Sequence, residues 1–377
     1  MLLQLALKGL LLALLPLALL WASKNPNKYR QLAWATAFLT FDLIMFGAFT
    51  RLTDSGLGCP DWPGCYGESN PFLAHESISA AQAAMPTGPV TVVKAWIEMT
   101  HRYLAMAVGV LIITLLVVAW RKWRQSGRTD TRFAPGFPLL LLVFVCVQGA
   151  FGAWTVTLKL QPAIVTIHLL LGIGLLALLV WHACRQDPPT RLPTPTAARA
   201  LRWPAALALL VVFMQIGLGG WVSTNYAALA CPDFPLCHGQ LVPPLDFPNG
   251  FHLWRELGKT ATGEYLPVSA LTTIHWTHRL FAVLVLLVCG WVALRTVRIP
   301  ELRRSGQAIM LVLAIQLSTG ILTVYLDWPL ALAVLHNGGA ALLVALLVVL
   351  NFRAAIGVAS RDQRLSSHPV PASRFPL

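Results

Sequence analysis

Charged residues are scarce in this sequence. Asp, Glu, Lys and Arg make up only 11% of its 377 residues, whereas 56% are hydrophobic. A soluble protein of this composition would expose large apolar patches, so the chain is predicted to be an integral membrane protein. Its apolar runs are long and do not alternate with polar residues, which favours membrane-spanning helices over the strands of a β-barrel.

Acidic residues are scarcer than basic ones, at 15 against 28, which gives a net charge of +13. Such an excess is found in proteins that bind nucleic acid, but here the cations cluster in a few short loops. This placement is what the positive-inside rule predicts for a membrane protein. The lipid bilayer is therefore the expected partner, and nucleic acid is not.

The apolar runs predict eight core spans, each long enough to cross a hydrocarbon layer of about 30 Å. They are expected at approximately 32–50, 92–120, 136–157, 163–183, 204–223, 269–295, 306–325 and 329–351. A further apolar run covers residues 2–23. It is interpreted as an extra N-terminal helix rather than a signal peptide, because the charged start and the cleavage site of a signal peptide are poor.

The predicted loops fall into two groups by their content of Lys and Arg. Cation-rich loops occur at 121–132, 184–203 and 295–304, and the segment after 351 is also basic, so this side is predicted to be cytoplasmic. The long loops 51–91 and 224–268 are predicted to face the outer, oxidising side of a bacterial inner membrane.

Three motifs occur twice, in the same order. The loop motif that begins at Cys59 recurs after 172 residues, the pair that begins at His101 after 177, and a Gln-Gly-His pattern that ends at His168 after 168. The core is therefore predicted to be a tandem duplication of two four-helix units, related by an axis along the membrane normal. The predicted divisions are an extra segment 1–30, a first unit 31–185, a cytoplasmic linker 186–203, a second unit 204–353 and a cytoplasmic tail 354–377.

Each predicted unit contributes two histidines from apolar runs, namely His101 and His168 in the first and His278 and His336 in the second. A lone membrane histidine is commonly a hydrogen-bonded packing residue. Because four recur at equivalent positions and at one depth, on the order of 10 Å below the outer surface, we predict two bis-histidine haems. Zinc or copper is less favoured, since no carboxylate or cysteine recurs beside them. Five further histidines are expected to be solvated, namely His75, His182, His238, His252 and His368.

Glu98 makes the two units unequal. It shares a helical face with His101, whereas its equivalent in the second unit is His275. A buried carboxyl near a haem edge could stabilise positive charge or move a proton. The alternative is a simple ion pair with Arg102 or Lys94 near the headgroups. His275 is either a third ligand candidate or a hydrogen-bond donor to a ligand.

Three arginines have two interpretations each. Arg102 and Arg279 directly follow predicted ligands, so their guanidinium groups could bind haem propionates or simply anchor their helices at the interface. Arg51, at the outer end of its helix, has the same alternatives.

Four of the seven cysteines form two matched pairs in the outer loops, Cys59 with Cys65 and Cys231 with Cys237. Each pair could be a structural disulfide, a redox dithiol or half of a zinc site. The spacing is not the CxxC of thioredoxin-like or zinc motifs, and the Pro and Gly residues in between suit a tight loop that a disulfide closes. Disulfides are therefore favoured, and the other three cysteines are expected to be packing residues.

The run Arg51-Leu-Thr-x-Ser-Gly-Leu-Gly-Cys-Pro-Asp-Trp-Pro-x-Cys, followed by Glu98-x-x-His101-Arg102 and by the three other histidines, resembles the haem A synthase family over about residues 32 to 352. The resemblance implies oxidation of the C8 methyl group of haem O to the formyl group of haem A, for terminal oxidases. It further implies that the first unit receives haem O, with Glu98 as the catalytic acid that stabilises a cationic methyl carbon before water adds.

The same resemblance assigns a haem b, which carries electrons, to the second unit, and an activity-linked disulfide to the first loop. A haem O synthase, a quinone and a second copy of the chain are candidate partners. The alternative function is a dihaem membrane cytochrome b that moves electrons between quinone and a partner, and a transporter built on repeats is a weaker one. The single carboxyl, Glu98, favours the enzyme, because an electron carrier needs no such group at only one site.

Overall fold

The computed structural model of the chain describes residues 1–186 and 191–366, with the backbone alone at residue 2 and at 359–366. Its α-helices, in chain order, are α1 (Leu2–Ala22), α2 (Lys28–Leu52), α3 (His75–Ala84), α4 (Val92–Gln125), α5 (Gly136–Thr157), α6 (Pro162–Arg185), α7 (Pro195–Thr224), α8 (Phe247–Gly250), α9 (Val268–Val297), α10 (Arg303–Tyr325) and α11 (Leu330–Ser366). Over these residues the chain forms no strand, only isolated bridges in the loops.

Among the described residues, nine helices are long and apolar enough to cross a membrane, namely all but the short α3 and α8. The predicted all-helical membrane fold, with eight core spans and an additional N-terminal helix, is confirmed. Proline is tolerated inside two of these spans, at Pro16 of α1 and Pro204 of α7.

Two helix boundaries lie nine or more residues from the predicted ones. Helix α7 begins at Pro195 rather than 204, because the Thr194 side chain accepts a 3.3 Å hydrogen bond from the Ala197 amide and Pro195 already has the φ angle of a first helical turn. The linker predicted at 186–203 therefore ends at Thr194, and its residues 187–190 lie outside the described part. Helix α11 continues to Ser366, and the rest of the predicted tail, 367–377, also lies outside it.

The core helices form two rings. In the first, α2 packs on α4, α4 on α5, α5 on α6 and α6 on α2. In the second, α7, α9, α10 and α11 close in the same order. The rings meet where α6 and α11 pack on each other, with α2 against α11 and α7 against α6, and one apolar core runs through both.

Equivalent residues of the two units touch at the outer ends of α2 and α7. Arg51 Nη2 donates to the Ser223 carbonyl at 2.6 Å, and the Tyr226 hydroxyl donates to Asp54 Oδ1 at 2.6 Å. Both pairs are 172 residues apart, which is the repeat offset of the adjacent loops. A residue can contact its own equivalent only beside the axis that relates the units, so the axis passes through this point.

Helix α1 lies outside both rings, along α4. The chain reverses direction between α1 and α2, so α1 begins at the end of the molecule where the disulfide loops lie. Close contact depends on Gly9, since a Cβ there would sit 2.6 Å from Met106 Cβ of α4. At the N-terminal end of α1, the Met1 side chain reaches the first disulfide loop beside Gly64.

Candidate functional site

The four predicted histidine ligands form two pairs. His101 of α4 and His168 of α6 are close enough to interact electrostatically, and so are His278 of α9 and His336 of α11. Each pair comes from helices that stand opposite each other in their ring, six to ten residues from the outer helix start. In the described chain, no three His, Cys, Asp or Glu side chains gather closely enough to hold a metal ion. The arrangement is two separate two-imidazole sites, one per unit.

Each histidine ring packs against a glycine of the neighbouring helix. At Gly47 of α2, a Cβ would lie only 2.9 Å from Cε1 of His101, so an alanine there would have to displace the ring. The other three contacts have the same form, at 3.1 Å for Gly152 and His168, 3.0 Å for Gly219 and His278, and 3.1 Å for Gly320 and His336. The absence of a side chain at these four positions sets where each imidazole stands.

The Nε2 atoms of three of these histidines are free, as binding of haem iron requires. In the described structure, Nδ1 of His101 and of His168 is enclosed and has no hydrogen-bond partner, whereas Nε2 is neither enclosed nor hydrogen-bonded. His336 Nδ1 lies 3.0 Å from the Thr319 hydroxyl, which leaves its Nε2 available as well. A neutral imidazole with a free Nε2 is a good haem ligand, so these residues fit the group that the sequence predicts.

Three glutamines support the histidines from the adjacent helix. Each stands one turn before a glycine of the preceding contacts and donates its side-chain amide to a histidine carbonyl, at 3.1 Å from Gln148 to His168, 3.1 Å from Gln215 to His278 and 2.8 Å from Gln316 to His336. The Gln215 amide also lies 3.5 Å from His278 Nε2. The fourth position, on α2, is Leu43, so His101 alone lacks this support.

Glu98 is buried, with 4% of its surface exposed. Its Oε2 accepts a 2.8 Å hydrogen bond from the backbone amide of Cys59, and Oε1 pairs with Arg102 one turn later on α4. The ion-pair partner is thus Arg102 rather than Lys94. The Arg102 ion pair and the Cys59 amide together fix the orientation of the carboxylate.

The second unit repeats this geometry with different chemistry. His275 occupies the place of Glu98, its Nδ1 lying 3.3 Å from the Cys231 amide, and Arg279 Nε donates to its Nε2 at 3.1 Å. His275 therefore engages the loop and the arginine instead of standing as a third ligand. An imidazole cannot carry the negative charge of a carboxylate, so the two sites differ in charge at one position.

Arg102 and Arg279 hold the disulfide loops against their helices. Arg102 Nη1 donates to the carbonyls of Asp61, Pro63 and Gly64 at 3.0, 3.2 and 2.6 Å. Arg279 donates to those of Asp233, Leu236 and Cys231 at 2.7, 3.2 and 2.6 Å. A propionate contact for either residue stays a prediction, as it does for Arg51, whose guanidinium bridges the two units above the Tyr226 ring at 4.3 Å.

Each outer loop closes on itself through its cysteines. Cys59 is joined to Cys65 and Cys231 to Cys237, so these sulfurs are not free for zinc. Within the second loop, Asp233 accepts hydrogen bonds from the amides of His238 at 2.7 Å and Gly239 at 2.8 Å. The Gly239 amide contributes most to holding the pKa of the Asp233 carboxyl below its usual value.

The prediction that His182 is solvated is wrong. It is 1% exposed at the inner end of α6, where the Tyr29 hydroxyl lies 2.9 Å from its Nε2 and the Phe137 ring stacks on it at 5.3 Å. Aromatic side chains from α2 and α5 enclose the His182 ring. Its place near the end of α6 would otherwise expose the ring to the lipid headgroups.

The chain is similar to known proteins over most of its length. A family model described as cytochrome oxidase assembly protein, COX15-CtaA, matches residues 30–348. The chain is 37% identical over 326 residues to the Heme A synthase of Shewanella oneidensis, covering 85% of this chain and 96% of that protein. It is 29% identical over 342 residues to the Heme A synthase of Beijerinckia indica (84% and 89% covered) and 30% identical over 335 residues to that of a Caulobacter species (83% and 92% covered).

Proposed function

The chain belongs to the COX15-CtaA family of cytochrome oxidase assembly proteins, and from that premise we propose that it is a haem A synthase. It is an oxidoreductase that converts the C8 methyl group of haem O to the formyl group of haem A. The observation that carries the proposal is the buried carboxylate of Glu98 beside one histidine pair only, with His275 in its place beside the other.

We assign a different haem to each unit. The first unit, with Glu98, His101 and His168, receives haem O as substrate, and the second holds a haem b through His278 and His336. This assignment is supported by the charge difference, because only the first site can stabilise a cation with a buried carboxylate. When bound, the haem b supplies electron transfer away from the reacting site.

Glu98 acts on the substrate methyl carbon. Converting a methyl to a formyl group with oxygen from water releases both electrons and protons, so positive charge develops at that carbon and protons must leave. An anionic oxygen in a site with little water stabilises such charge strongly and can accept a proton. The Cys59 amide and the Arg102 guanidinium keep the carboxylate oriented before the reaction begins, so no reorganisation is needed as the charge develops.

The protein is a multi-pass membrane protein, and we place it in the bacterial inner membrane with the disulfide loops at the outer face. The cation-rich loops at the opposite end of the helices support this orientation. A haem O synthase as supplier and a quinone as electron acceptor follow from the reaction rather than from a contact in the structure. A homo-oligomer stays a prediction.

The test is expression of the full chain with a source of haem O, followed by extraction of the non-covalent haems for chromatography and mass measurement. Haem A is expected in the extract of the wild type. Glu98→Gln should retain haem but lose about a hundredfold or more of haem A formation, whereas the matched change His275→Gln should retain more of it. Haem b alone in the wild-type extract, at about two per chain as two bis-histidine sites would hold, would favour the electron carrier instead.

A further inference from the structure

Lys8 is the only charged residue of α1. A cation in a membrane-spanning helix costs several kcal/mol unless it finds partners. Its Nζ donates to the Ser69 carbonyl at 2.7 Å and lies 3.0 Å from the Ser69 hydroxyl, and the ammonium also sits 5.2 Å from the centre of the Tyr103 ring. All these partners are neutral, so it is the disulfide loop and α4, rather than a counter-ion, that accommodate the charge.

Hydrogen bonds at Ser69 connect the first disulfide loop to both α1 and α4. Its carbonyl accepts from Lys8 of α1 and also, at 2.8 Å, from the Tyr103 hydroxyl of α4. Near Ser69, Leu5 of α1 is 2% exposed and belongs to an apolar cluster that contains both cysteines of the first loop. The loop that α1 holds at Ser69 is the same loop whose Cys59 amide binds Glu98.

In the second unit, the corresponding loop is held in place without an extra helix. The equivalent of Ser69 is Leu241, 172 residues later, and its carbonyl accepts a 2.9 Å hydrogen bond from the Trp276 indole of α9. There the loop is tied to its own histidine-bearing helix. In the first unit part of that tie comes from α1, which lies outside the residues 30–348 that the family model matches.

We infer that α1 is a positioning element of the first site. Lys8 fixes the disulfide loop at Ser69, and the loop in turn fixes the Cys59 amide that orients Glu98. The catalytic part of this inference rests on the proposed function, while the structural part, that α1 holds one loop and not the other, does not.

The test compares the rates at which the two disulfides of one molecule are reduced. The full chain and its Lys8→Met variant are treated with dithiothreitol for increasing times, alkylated, digested and analysed by mass spectrometry. Loss of hydrogen bonds from a charged group should make local opening of the first loop easier. Reduction of Cys59–Cys65 should therefore be about tenfold faster, with Cys231–Cys237 unchanged as the internal reference.

Two further variants of α1 serve as controls. Lys8→Arg keeps the cation and its donors and should restore slow reduction. Gln4→Leu, on the exposed face of the same helix, should behave as the wild type. If Lys8→Met does not accumulate in the membrane, Ser69→Ala removes the hydroxyl contact alone and should accelerate only the first disulfide, by a smaller factor.

Equal rates for the first disulfide in wild type and Lys8→Met would overturn the inference, and so would acceleration of both disulfides, which reports general destabilisation. Haem A formation by Lys8→Met should fall together with the loss of protection. Full turnover in spite of a loosened loop would overturn the link from α1 to Glu98. A wild type that makes no haem A would refute the proposed function, while the disulfide rates would still decide the role of α1.

Discussion

Replacing Gly152 by alanine should weaken haem binding in the first unit. The added Cβ would lie 3.1 Å from His168 Cε1, with Nδ1 and Nε2 of the ring at 3.8 and 3.9 Å. Carbon atoms pack best at about 3.5–4.0 Å, so the imidazole must move by roughly 0.4 Å or more. The His168 backbone is tied to Gln148 of the same neighbouring helix, so the ring, rather than the helix, is expected to yield.

Overpacking of this kind costs about 1–3 kcal/mol, which corresponds to a loss of affinity of about fivefold to 150-fold. Alanine also favours a helix over glycine by roughly 1 kcal/mol. This second effect acts on the apoprotein and not on the ligand geometry. The gain in helix propensity offsets part of the overpacking cost in the haem-free protein, so the loss of haem affinity should exceed the loss of stability, a combination that simple misfolding would not produce.

The assay is spectroscopic titration of haem into the detergent-solubilised full chain, with the low-spin bis-histidine absorbance as the signal. The matched control is Gly149→Ala on the same helix, where a new Cβ would meet nothing within 4 Å. Gly149→Ala should bind as the wild type does. Equal haem affinity and equal low-spin spectra for the two variants would refute the claim that the glycine contact sets the ligand position.

Other predictions concern the second site, the axis and the loops. Gly320→Ala should weaken the second haem as Gly152→Ala weakens the first, in the same titration. Arg51→Gln removes a charged hydrogen bond to Ser223 and a contact with Tyr226, so the thermal midpoint in detergent should fall, by an amount that corresponds to about 1.5–3 kcal/mol; an unchanged midpoint would contradict this. Mass spectrometry of unreduced protein that is alkylated after denaturation should show both loop disulfides and three alkylated cysteines, and alkylation of any loop cysteine would count against them.

The helix placement and the histidine pairs were accessible from the sequence because periodicity and repeat offset are local properties. Apolar length fixes which segments cross the membrane, and an offset of 168 from His168 leads directly to His336. The sequence does not predict the glycine contacts. Gly152 belongs to the repeated Gln-Gly-His pattern and Gly47 belongs to no motif, although both stand at the depth of a histidine on another helix. A glycine shows its role only once the facing side chain is known.

The contacts of the polar residues depend on the path of other segments, which the sequence does not reveal. Arg102 has the register for either a propionate or a loop, and the course of residues 61–64 brings three carbonyls within its reach. His182 has a place near the headgroups by helix count, yet Tyr29 and Phe137 enclose it. In both cases the observed contacts come from segments distant in sequence, which the pattern of a single helix does not reveal.

The differences between the two units converge on one histidine. The core helices and the disulfide loops are duplicated, but Glu98 stands where the second unit has His275, Leu43 stands where it has Gln215, and α1 braces only the first loop. Glu98 and Leu43 are neighbours of His101, and α1 acts on the loop above it. Duplication alone would give two equal haem sites suited to electron transfer. The departures from symmetry add a buried charge, leave His101 without an amide donor and brace the loop that holds the charge. They support our proposal that the substrate methyl group reacts on the His101 side of the first unit.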